Sequence, residues 1–218
     1  MATGKFITFE GPEGSGKSTH IKRLALFLKQ QGVAIVTTRE PGGTALGEKV
    51  RSLIQHSAAD EVPVDRAELL LFLASRAQHV DELIRPALES GHWVLCDRFY
   101  DSTMAYQGYG RGFDLDELKV LNDFAINRLK PDLTLLIDVS PETSRSRLKS
   151  RHSNTSSSPD RIEAEQDDFH RRLRNGFLQL ACAELDRFHV VDAEREQGVV
   201  EMEIREVVKQ RLLSPSNL

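Results

Sequence analysis

Short apolar runs alternate with longer amphipathic stretches along this chain. The apolar runs occupy residues 5–9, 33–38, 92–96 and 133–139, with a weaker one at 189–191. Several of them are apolar nearly throughout, which is typical of strands that are covered on both faces. The pattern therefore predicts five β-strands.

The stretches between these runs carry apolar residues three and four positions apart, which is the period of a helix. Such patterns cover residues 17–31, 68–89 and 115–128, and Gly32 ends the first of them. Strands that alternate with helices favour a five-stranded parallel sheet with helices on both faces. We therefore expect an α/β fold that binds its ligands beyond the carboxyl ends of the strands.

One polar segment interrupts this pattern. Residues 152–159 are Ser-rich and follow the cations Arg145, Arg147, Lys149 and Arg151. Because the segment cannot bury apolar surface, the sequence predicts a mobile loop there. A linker between domains is the alternative, but too little chain follows it for another full domain.

Length and composition exclude several classes of protein. A chain of 218 residues fits one domain over residues 1–218. Its net charge of −4 does not suggest nucleic-acid binding. No apolar run approaches the roughly 20 residues of a membrane span, and the first strand begins too early for a signal peptide. Cys96 and Cys182 are predicted to be buried thiols in a reducing cytoplasm.

The strongest local motif is G-x-x-x-x-G-K-[ST] at residues 11–18, between a predicted strand and a predicted helix. Its glycines let backbone N–H groups converge on phosphate oxygens at a helix N-terminus. Lys17 is expected to reach the β and γ phosphates of ATP, and the Ser18 hydroxyl to bind Mg²⁺. A chance match in a Gly-rich turn is the alternative. The predicted nucleotide-binding residues are Gly11, Glu13, Gly14, Ser15, Gly16, Lys17, Ser18 and Thr19.

Asp97 and Arg98 directly follow the third predicted strand. In a parallel sheet, a carboxylate at that point lies beside the phosphate loop, where it can hold Mg²⁺ directly or through water. Arg98 can bridge donor and acceptor phosphates and stabilise the transferred group. The alternative is an ion pair that caps the strand.

Over nearly its full length the chain resembles the bacterial thymidylate kinases. The matching segments, in order, are FEGPEGSGKST at 9–19, TREPGGT at 38–44, GEKVR at 47–51, LFLASRAQH at 71–79, DRFYDSTMAYQG at 97–108, PDLTLLIDV at 131–139 and DRIE at 160–163. The resemblance implies the P-loop nucleoside monophosphate kinase fold and a homodimer. It also implies transfer of the γ-phosphate of ATP to dTMP, which gives dTDP for dTTP synthesis.

The resemblance implies roles for residues of the acceptor site. Arg51 and Arg98 match arginines that bind the acceptor phosphate, and Phe72 matches the phenylalanine that stacks on thymine. From spacing alone Phe72 would be a core residue and Arg51 a solvated one. The other matched positions are Arg76, Ser102, Thr103 and Gln107 near the edge of the base, with Tyr106 and Glu13 near the sugar. Arg76 could also be solvated, and Thr103 could cap a helix.

The same resemblance implies a lid over residues of about 145–160, because the phosphate loop contains no arginine. Arg151 is the predicted catalytic cation and Arg147 the residue near adenine. Extra polar residues before DRIE leave Lys149 as an alternative to Arg151, and a basic, solvated helix end is the competing interpretation.

Four further positions complete the predicted site. Asp160 and Glu163 match acids near the monophosphate, and Asp192 matches the adenine-contacting loop. Arg39 could brace its loop rather than touch substrate.

Two other functions stay open at this point. One is a kinase of another pyrimidine monophosphate or of a deoxynucleoside. The other is a P-loop switch or ATPase without a small acceptor, although the sequence lacks the guanine-reading N-K-x-D motif.

Overall fold

The sheet has the predicted number of strands and the predicted direction. The computed structural model describes residues 4–55, 62–155 and 166–213, without the side chains of His152, Asn154 and Thr155. The strands are β1 (Phe6–Glu10), β2 (Ile35–Arg39), β3 (Trp93–Asp97), β4 (Leu133–Asp138) and β5 (Phe188–Asp192). They form one sheet in the order β2-β3-β1-β4-β5, and every neighbouring pair is parallel. The strand prediction is therefore confirmed.

Helices connect these strands. They are α1 (Lys17–Gln30), α2 (Ala45–Gln55), α3 (Asp65–His79), α4 (Arg85–Glu89), α5 (Tyr100–Thr103), α6 (Leu115–Ile126), α7 (Pro141–Thr155), α8 (Asp167–Ala183) and α9 (Gln197–Val208). π-helical turns join α3 to α4 at Val80–Ile84, follow α5 at Met104–Gly110 and follow α9 at Lys209–Leu213. The predicted helix over residues 68–89 is thus a continuous helical run with a π-helical turn inside it.

Two sequence predictions are wrong in this part of the structure. Helix α7 extends to Thr155, so the first four residues of the predicted loop at 152–159 are helical, and the remaining four lie outside the described residues. Cys182 is exposed rather than buried. It follows the buried Ala181 near the end of α8, and the helix turns it away from the face that carries Leu173 and Phe177.

Alternate residues of each strand enter cores on opposite faces of the sheet. On one face Ile7 and Leu135 pack with α1 and α9. On the other face Phe6 and Val94 pack with the π-helical turn after α3 and with the end of α6, and Leu136 packs with α8. Apolar side chains on both sides of each strand explain why the strands read as nearly continuous apolar runs.

The register of the strands brings polar residues together at their carboxyl ends. Asp97 pairs with Phe9 of β1 and with Arg39 of β2, and Asp138 pairs with Asp192. The loop after the central strand β1 therefore lies between the polar ends of its neighbours. No helix in the part of the chain that the structure describes is long and apolar enough to cross a membrane.

The turn that leaves β1 requires glycine at position 11. Gly11 has φ of 130°, and a Cβ atom there would lie 2.4 Å from the carbonyl oxygen of Ile137. Gly32, after α1, also has a positive φ, of 80°, but a Cβ atom there would meet nothing within 4 Å. A side chain at Gly32 thus meets only the backbone cost of a positive φ, whereas one at Gly11 meets a positive φ and a clash.

We predict that Gly11→Ala destabilises the protein more than Gly32→Ala does. The control substitution costs about 1–2 kcal/mol, because an L-residue disfavours positive φ. The test substitution adds a clash with backbone that cannot rotate away, of about another 1–3 kcal/mol. Urea unfolding measures both free energies, and equal losses would contradict the packing of β4 against this turn.

Candidate active site

The loop between β1 and α1 forms a cradle of backbone groups. Helix α1 begins at Lys17, and its first backbone bonds run from Thr19 and His20 to the carbonyl oxygen of Gly16, so the N–H groups of Lys17 and Ser18 have no helical partner. The ammonium group of Lys17 is buried and donates to the carbonyl oxygens of Gly11 at 3.0 Å and Pro12 at 2.8 Å. Burial, together with the nearby charge of Arg98, lowers the pKa of Lys17 to about 8. The cradle combines backbone donors with one confined cation, which suits an anionic ligand.

Ser18 and Asp97 meet at the end of this cradle, as the sequence predicts. The Ser18 hydroxyl donates to Asp97 Oδ2 at 2.8 Å. A hydroxyl and a carboxylate are oxygen ligands of the kind that Mg²⁺ prefers. The described residues contain no group of three or more His, Cys, Asp or Glu side chains that could hold a metal alone. The pair therefore fits Mg²⁺ held by few protein ligands together with the phosphates of a substrate.

A cavity of about 710 Å³ opens beside the cradle. This volume lies in the range of small-molecule sites. Its lining combines the cradle with residues from the β2–α2 loop, α3, the segment after β3 and α7. The predicted site residues in the lining are Glu13, Gly14, Gly16, Lys17, Ser18, Thr19, Arg51, Phe72, Arg76, Asp97, Arg98, Ser102, Thr103, Tyr106, Gln107, Arg147 and Arg151.

Arg98 connects the cradle to the segment after β3. Its Nη2 donates to Glu13 Oε1 at 2.6 Å, and its Nη1 donates to Ser102 Oγ at 3.0 Å. The second oxygen of Glu13 accepts from the Tyr106 hydroxyl at 2.6 Å. Burial alone would raise the pKa of Glu13, but the charges of Arg98 and Lys17 hold this pKa below its usual range. Glu13 is therefore a carboxylate that orients both Arg98 and Tyr106.

Glu10, a fully buried residue that the sequence analysis missed, lies behind this network. It accepts from the backbone N–H of Phe99 at 2.7 Å and from the Ser102 hydroxyl at 2.6 Å. These bonds hold the peptide that follows Arg98, whose φ of 70° is unusual for a residue with a side chain. Burial, reinforced by the charge of Asp101, raises the pKa of Glu10 to about 8.

Helix α3 presents Phe72 and Arg76 to the cavity one turn apart, as their spacing predicts. Phe72 is half-buried rather than enclosed in the core. Arg76 is buried and forms an ion pair with Glu40, at 2.7 Å from Nε to Oε2. A flat apolar side chain beside a buried hydrogen-bond donor suits a planar ligand with a polar edge.

Two further arginines line the cavity from the β2–α2 side. Arg51 donates to the carbonyl oxygen of Pro41 at 3.1 Å. Arg39 forms an ion pair with Glu48 at 2.9 Å, and Glu48 also accepts from the backbone N–H of Gly43. Arg39 therefore both braces its own loop and faces the cavity.

Helix α7 lies across the outer side of the cradle. The Ser144 hydroxyl donates to the carbonyl oxygen of Glu13 at 2.7 Å. One turn later Arg147 donates to the carbonyl oxygens of Ser15 at 3.4 Å and Ala193 at 2.8 Å. Arg151 follows on the same helical face and lines the cavity, whereas Lys149 is outside the lining, although both residues are exposed.

Some predicted residues lie elsewhere. Asp192 is exposed and is outside the cavity lining, and its carboxylate accepts from the backbone N–H of Glu194. Ser15 is buried, and Gly11 shapes the turn behind the cradle. Asp160 and Glu163 lie outside the described residues.

Glu10 and Glu40 belong to the site but are not among the residues predicted from the sequence. Both are buried carboxylates beside a motif, Glu10 before the first glycine of the cradle and Glu40 directly after Arg39. A carboxylate within or beside an apolar strand is the signal that could have identified them, because an acid is rarely buried without a partner.

Comparisons with known proteins agree on one family. A family model described as thymidylate kinase matches residues 9–204. A thymidylate kinase from Carboxydothermus hydrogenoformans is 52% identical, over 93% of this chain and 95% of that protein. One from Nitratidesulfovibrio vulgaris is 47% identical, over 97% and 99%. The crystal structure of thymidylate kinase from Ehrlichia chaffeensis superposes with a TM-score of 0.76 at 37% identity, covering 94% of this chain and 99% of that one.

We predict that Glu10 makes stability depend on pH between about 4.5 and 8. Its pKa is higher in the folded protein than its ordinary value of 4.5. The folded state therefore binds the proton more tightly, so this stabilising contribution is complete below pH 4.5 and is lost as pH rises through about 8. The free energy of unfolding of the wild type, minus that of Glu10→Gln, should fall with pH by up to about 1.4 kcal/mol per unit. Urea unfolding at pH 6 and pH 8.5 measures this difference, and a constant value would contradict a raised pKa.

Proposed function

The chain belongs to the thymidylate kinase family, and we infer that it transfers the γ-phosphate of ATP to dTMP, giving ADP and dTDP. The observation that carries this inference is that one cavity is lined both by the phosphate cradle and by side chains of α3. Lys17 and Ser18 of the phosphate cradle lie at one part of it, and Phe72 and Arg76 lie at another. A triphosphate and a nucleoside monophosphate can therefore meet in one enclosure, with Arg98 between the loops that hold them.

We propose that the cradle holds the phosphates of ATP, with Lys17 at the β and γ phosphates. Nucleotide binding would replace the contacts of Lys17 with the carbonyl groups of Gly11 and Pro12. Ser18 and Asp97 would hold Mg²⁺, which neutralises charge on the phosphates when bound. Their 2.8 Å contact supports this assignment, with Ser18 in the first turn of α1 and Asp97 at the end of β3.

We propose that the acceptor occupies the part of the cavity lined by α3 and by the segment after β3. Phe72 would stack on the thymine ring, and Arg76 would contact the edge of the base with Ser102, Thr103 and Gln107 nearby. All of these residues line the cavity. Arg51 and Arg98 would bind the acceptor phosphate, because a guanidinium can donate two parallel hydrogen bonds to a phosphate dianion.

Glu13 and Tyr106 are the proposed contacts of the sugar. Their hydrogen bond of 2.6 Å keeps the tyrosine beside Arg98, whose guanidinium carbon lies 5.0 Å from the centre of the ring. This fixed pair limits the space next to the sugar and leaves the carboxylate able to accept from a hydroxyl group.

The chemistry is an in-line displacement at the γ phosphorus. An oxygen of the acceptor phosphate forms the new P–O bond, and the bond to the β-phosphate oxygen breaks to release ADP. The acceptor oxygen is already ionised at neutral pH, so no strong general base is needed. Lys17, Arg98 and Arg151 would spread the charge of the group in transfer.

The proposed lid cation is Arg151 rather than Lys149. Arg151 lines the cavity and shares the helical face of Ser144 and Arg147, which dock α7 on the cradle. Lys149 lies on another face of the helix and is not part of the cavity lining. Arg147, which already contacts the carbonyl oxygen of Ala193, is the proposed neighbour of adenine, and Asp192 lies one residue away from that carbonyl.

We also propose that residues 1–218 act as one domain with a lid at about 145–160. Asp160 and Glu163, in the segment that follows the lid, are proposed to approach the monophosphate. The reaction is proposed to occur in the cytoplasm, where a reducing environment keeps Cys96 and Cys182 as the free thiols seen here.

A second copy of the chain is the proposed partner. Helix α6 exposes Val120 at 70% and Phe124 at 87%, one turn apart, and the neighbouring α3 exposes Leu70. Leu46 and Leu53 add exposed leucines on α2, which packs on α3. A row of large apolar side chains on adjacent helices is costly in water and is typical of a subunit interface.

We predict that dTMP stimulates release of ADP from ATP and Mg²⁺ far more than other monophosphates do. A coupled assay would compare dTMP, dUMP, dCMP, UMP, AMP and GMP, with free thymidine as a further acceptor. Rapid turnover of dTMP, with dUMP slower, is the expected result. If another acceptor is turned over faster than dTMP, that compound replaces dTMP as the assigned substrate. If ATP is hydrolysed and no acceptor stimulates the reaction, the result favours an ATPase.

Phe124→Glu is predicted to convert a dimer into a monomer, because it places a charge within the exposed apolar row. Size-exclusion chromatography with light scattering measures the mass at micromolar concentration. Leu26→Glu is the matched control, since Leu26 is also exposed, at 62%, but lies on α1 at the other face of the sheet. A wild type with the mass of one chain would refute the dimer.

A further inference from the structure

Arg76 is held on nearly all sides inside the protein. Only 2% of its surface is exposed. A guanidinium has five N–H groups in one plane. Nε donates to Glu40 Oε2 at 2.7 Å, and Nη1 donates to Thr103 Oγ1 at 2.9 Å and to Asn122 Oδ1 at 2.8 Å. Nη2 donates to the carbonyl oxygen of Phe99 at 3.3 Å. Four of the five N–H groups are thereby engaged.

The acceptors come from four separate parts of the chain. Glu40 follows β2, Phe99 follows β3, Thr103 ends α5 and Asn122 lies in α6. Glu40 is itself fixed, because its other oxygen contacts His79 Nδ1 at 3.0 Å. The guanidinium can therefore neither rotate nor translate without breaking several hydrogen bonds.

The fifth N–H group belongs to Nη2, and among the described residues no side chain or carbonyl accepts from it. Arg76 lines the cavity one helical turn after Phe72. A buried donor with one remaining hydrogen selects for an acceptor in the ligand, because a donor facing it would leave both groups without a hydrogen bond. At position 4 of a pyrimidine ring, thymine presents a carbonyl oxygen and cytosine presents an amino group.

We propose that Asn122 is a positioning residue that sets the discrimination between 4-oxo and 4-amino pyrimidine monophosphates. This proposal rests on the proposed acceptor site. It is buried, and in the described structure it is not part of the cavity lining. Asn122 therefore acts through Arg76: by occupying one hydrogen of Nη1, it fixes the plane in which the last N–H of Nη2 meets the base.

A substitution of Asn122 tests how the position of Arg76 is fixed without changing the charge around Arg76. The other partners are less suitable for this test. Loss of Glu40 would leave a buried cation without its counter-ion, which is costly in itself. Thr103 lines the cavity and could touch the ligand directly. Asn122 is neutral, so removing its oxygen leaves the ion pair of Arg76 and Glu40 in place. Its amide nitrogen faces Met104 Sδ at 3.5 Å, which orients the oxygen toward the arginine.

The test compares Asn122→Leu, which keeps the branched shape and the number of side-chain heavy atoms but has no acceptor, with Asn122→Asp, which keeps the acceptor oxygen. We expect N122L to lower the ratio of kcat/KM for dTMP to that for dCMP by about tenfold. The change should lie mainly in KM for dTMP, with KM for ATP unaltered. N122D should retain the ratio within about twofold, since an ionised oxygen still accepts from Nη1. Calorimetric titration of each variant with dTMP or dCMP, without ATP, should give the same order.

Leu118→Ala is the control for a merely structural role. Leu118 is buried on the same helix and packs with Leu69 and Leu73. Its loss should lower the free energy of unfolding and leave the dTMP to dCMP ratio unchanged.

Three outcomes would overturn the inference. In the first, N122L discriminates as the wild type does while the wild type prefers dTMP, which leaves the proposed function intact. In the second, L118A lowers the ratio as much as N122L does. In the third, the wild type does not use dTMP, which would refute the proposed function as well.

Discussion

The ion pair between Arg98 and Glu13 joins loops that are 85 residues apart in the chain, and the arrangement of the site depends on it. A buried cation is tolerated only where carboxylates surround it closely. Glu13 meets this need from the phosphate cradle, while Glu10 fixes the peptide after Arg98 from behind. The cradle and the end of β3 therefore cannot move independently. An enzyme that brings two anions together requires such a rigid relation between its donor and acceptor loops.

Arg76, on the proposed acceptor side, is likewise a buried arginine that is paired with a carboxylate, that of Glu40. One of its other partners lies on a helix that also faces solvent. Helix α6 turns Asn122 inward to the guanidinium, and it turns Val120 and Phe124 outward. One short helix thus contributes both to the wall behind the proposed base site and to the proposed subunit interface. The buried face of α6 carries one polar side chain, that of Asn122, and Arg76 supplies the hydrogen-bond partner that this side chain needs.

Features governed by local pattern could be predicted from the sequence, whereas features that depend on distant partners could not. Strand positions and the phosphate cradle follow from neighbouring residues alone. Asn122 gives no local signal, because its role exists only where four separate segments converge on Arg76. The position of Glu40 beside an apolar strand indicates a buried acid, but it does not identify Arg76 as the partner. The helical continuation of α7 through residues 152–155 was missed for a different reason. Polar composition indicates that a segment is solvated, but a helix already started by earlier residues can extend into such a segment at little cost.

The docking of α7 on the cradle supports the proposed action of Arg151 at the phosphates. Ser144 donates to the backbone carbonyl of Glu13, the residue whose carboxylate holds Arg98. Arg151 lies two turns further along the same face. Any displacement of α7 would therefore disturb the residue that aligns Arg98, and any displacement of Arg98 would act on the anchor of α7. Glu13 links the two proposed catalytic arginines, through its backbone on one side and its side chain on the other. The proposed donor and acceptor halves of the site therefore meet at this residue.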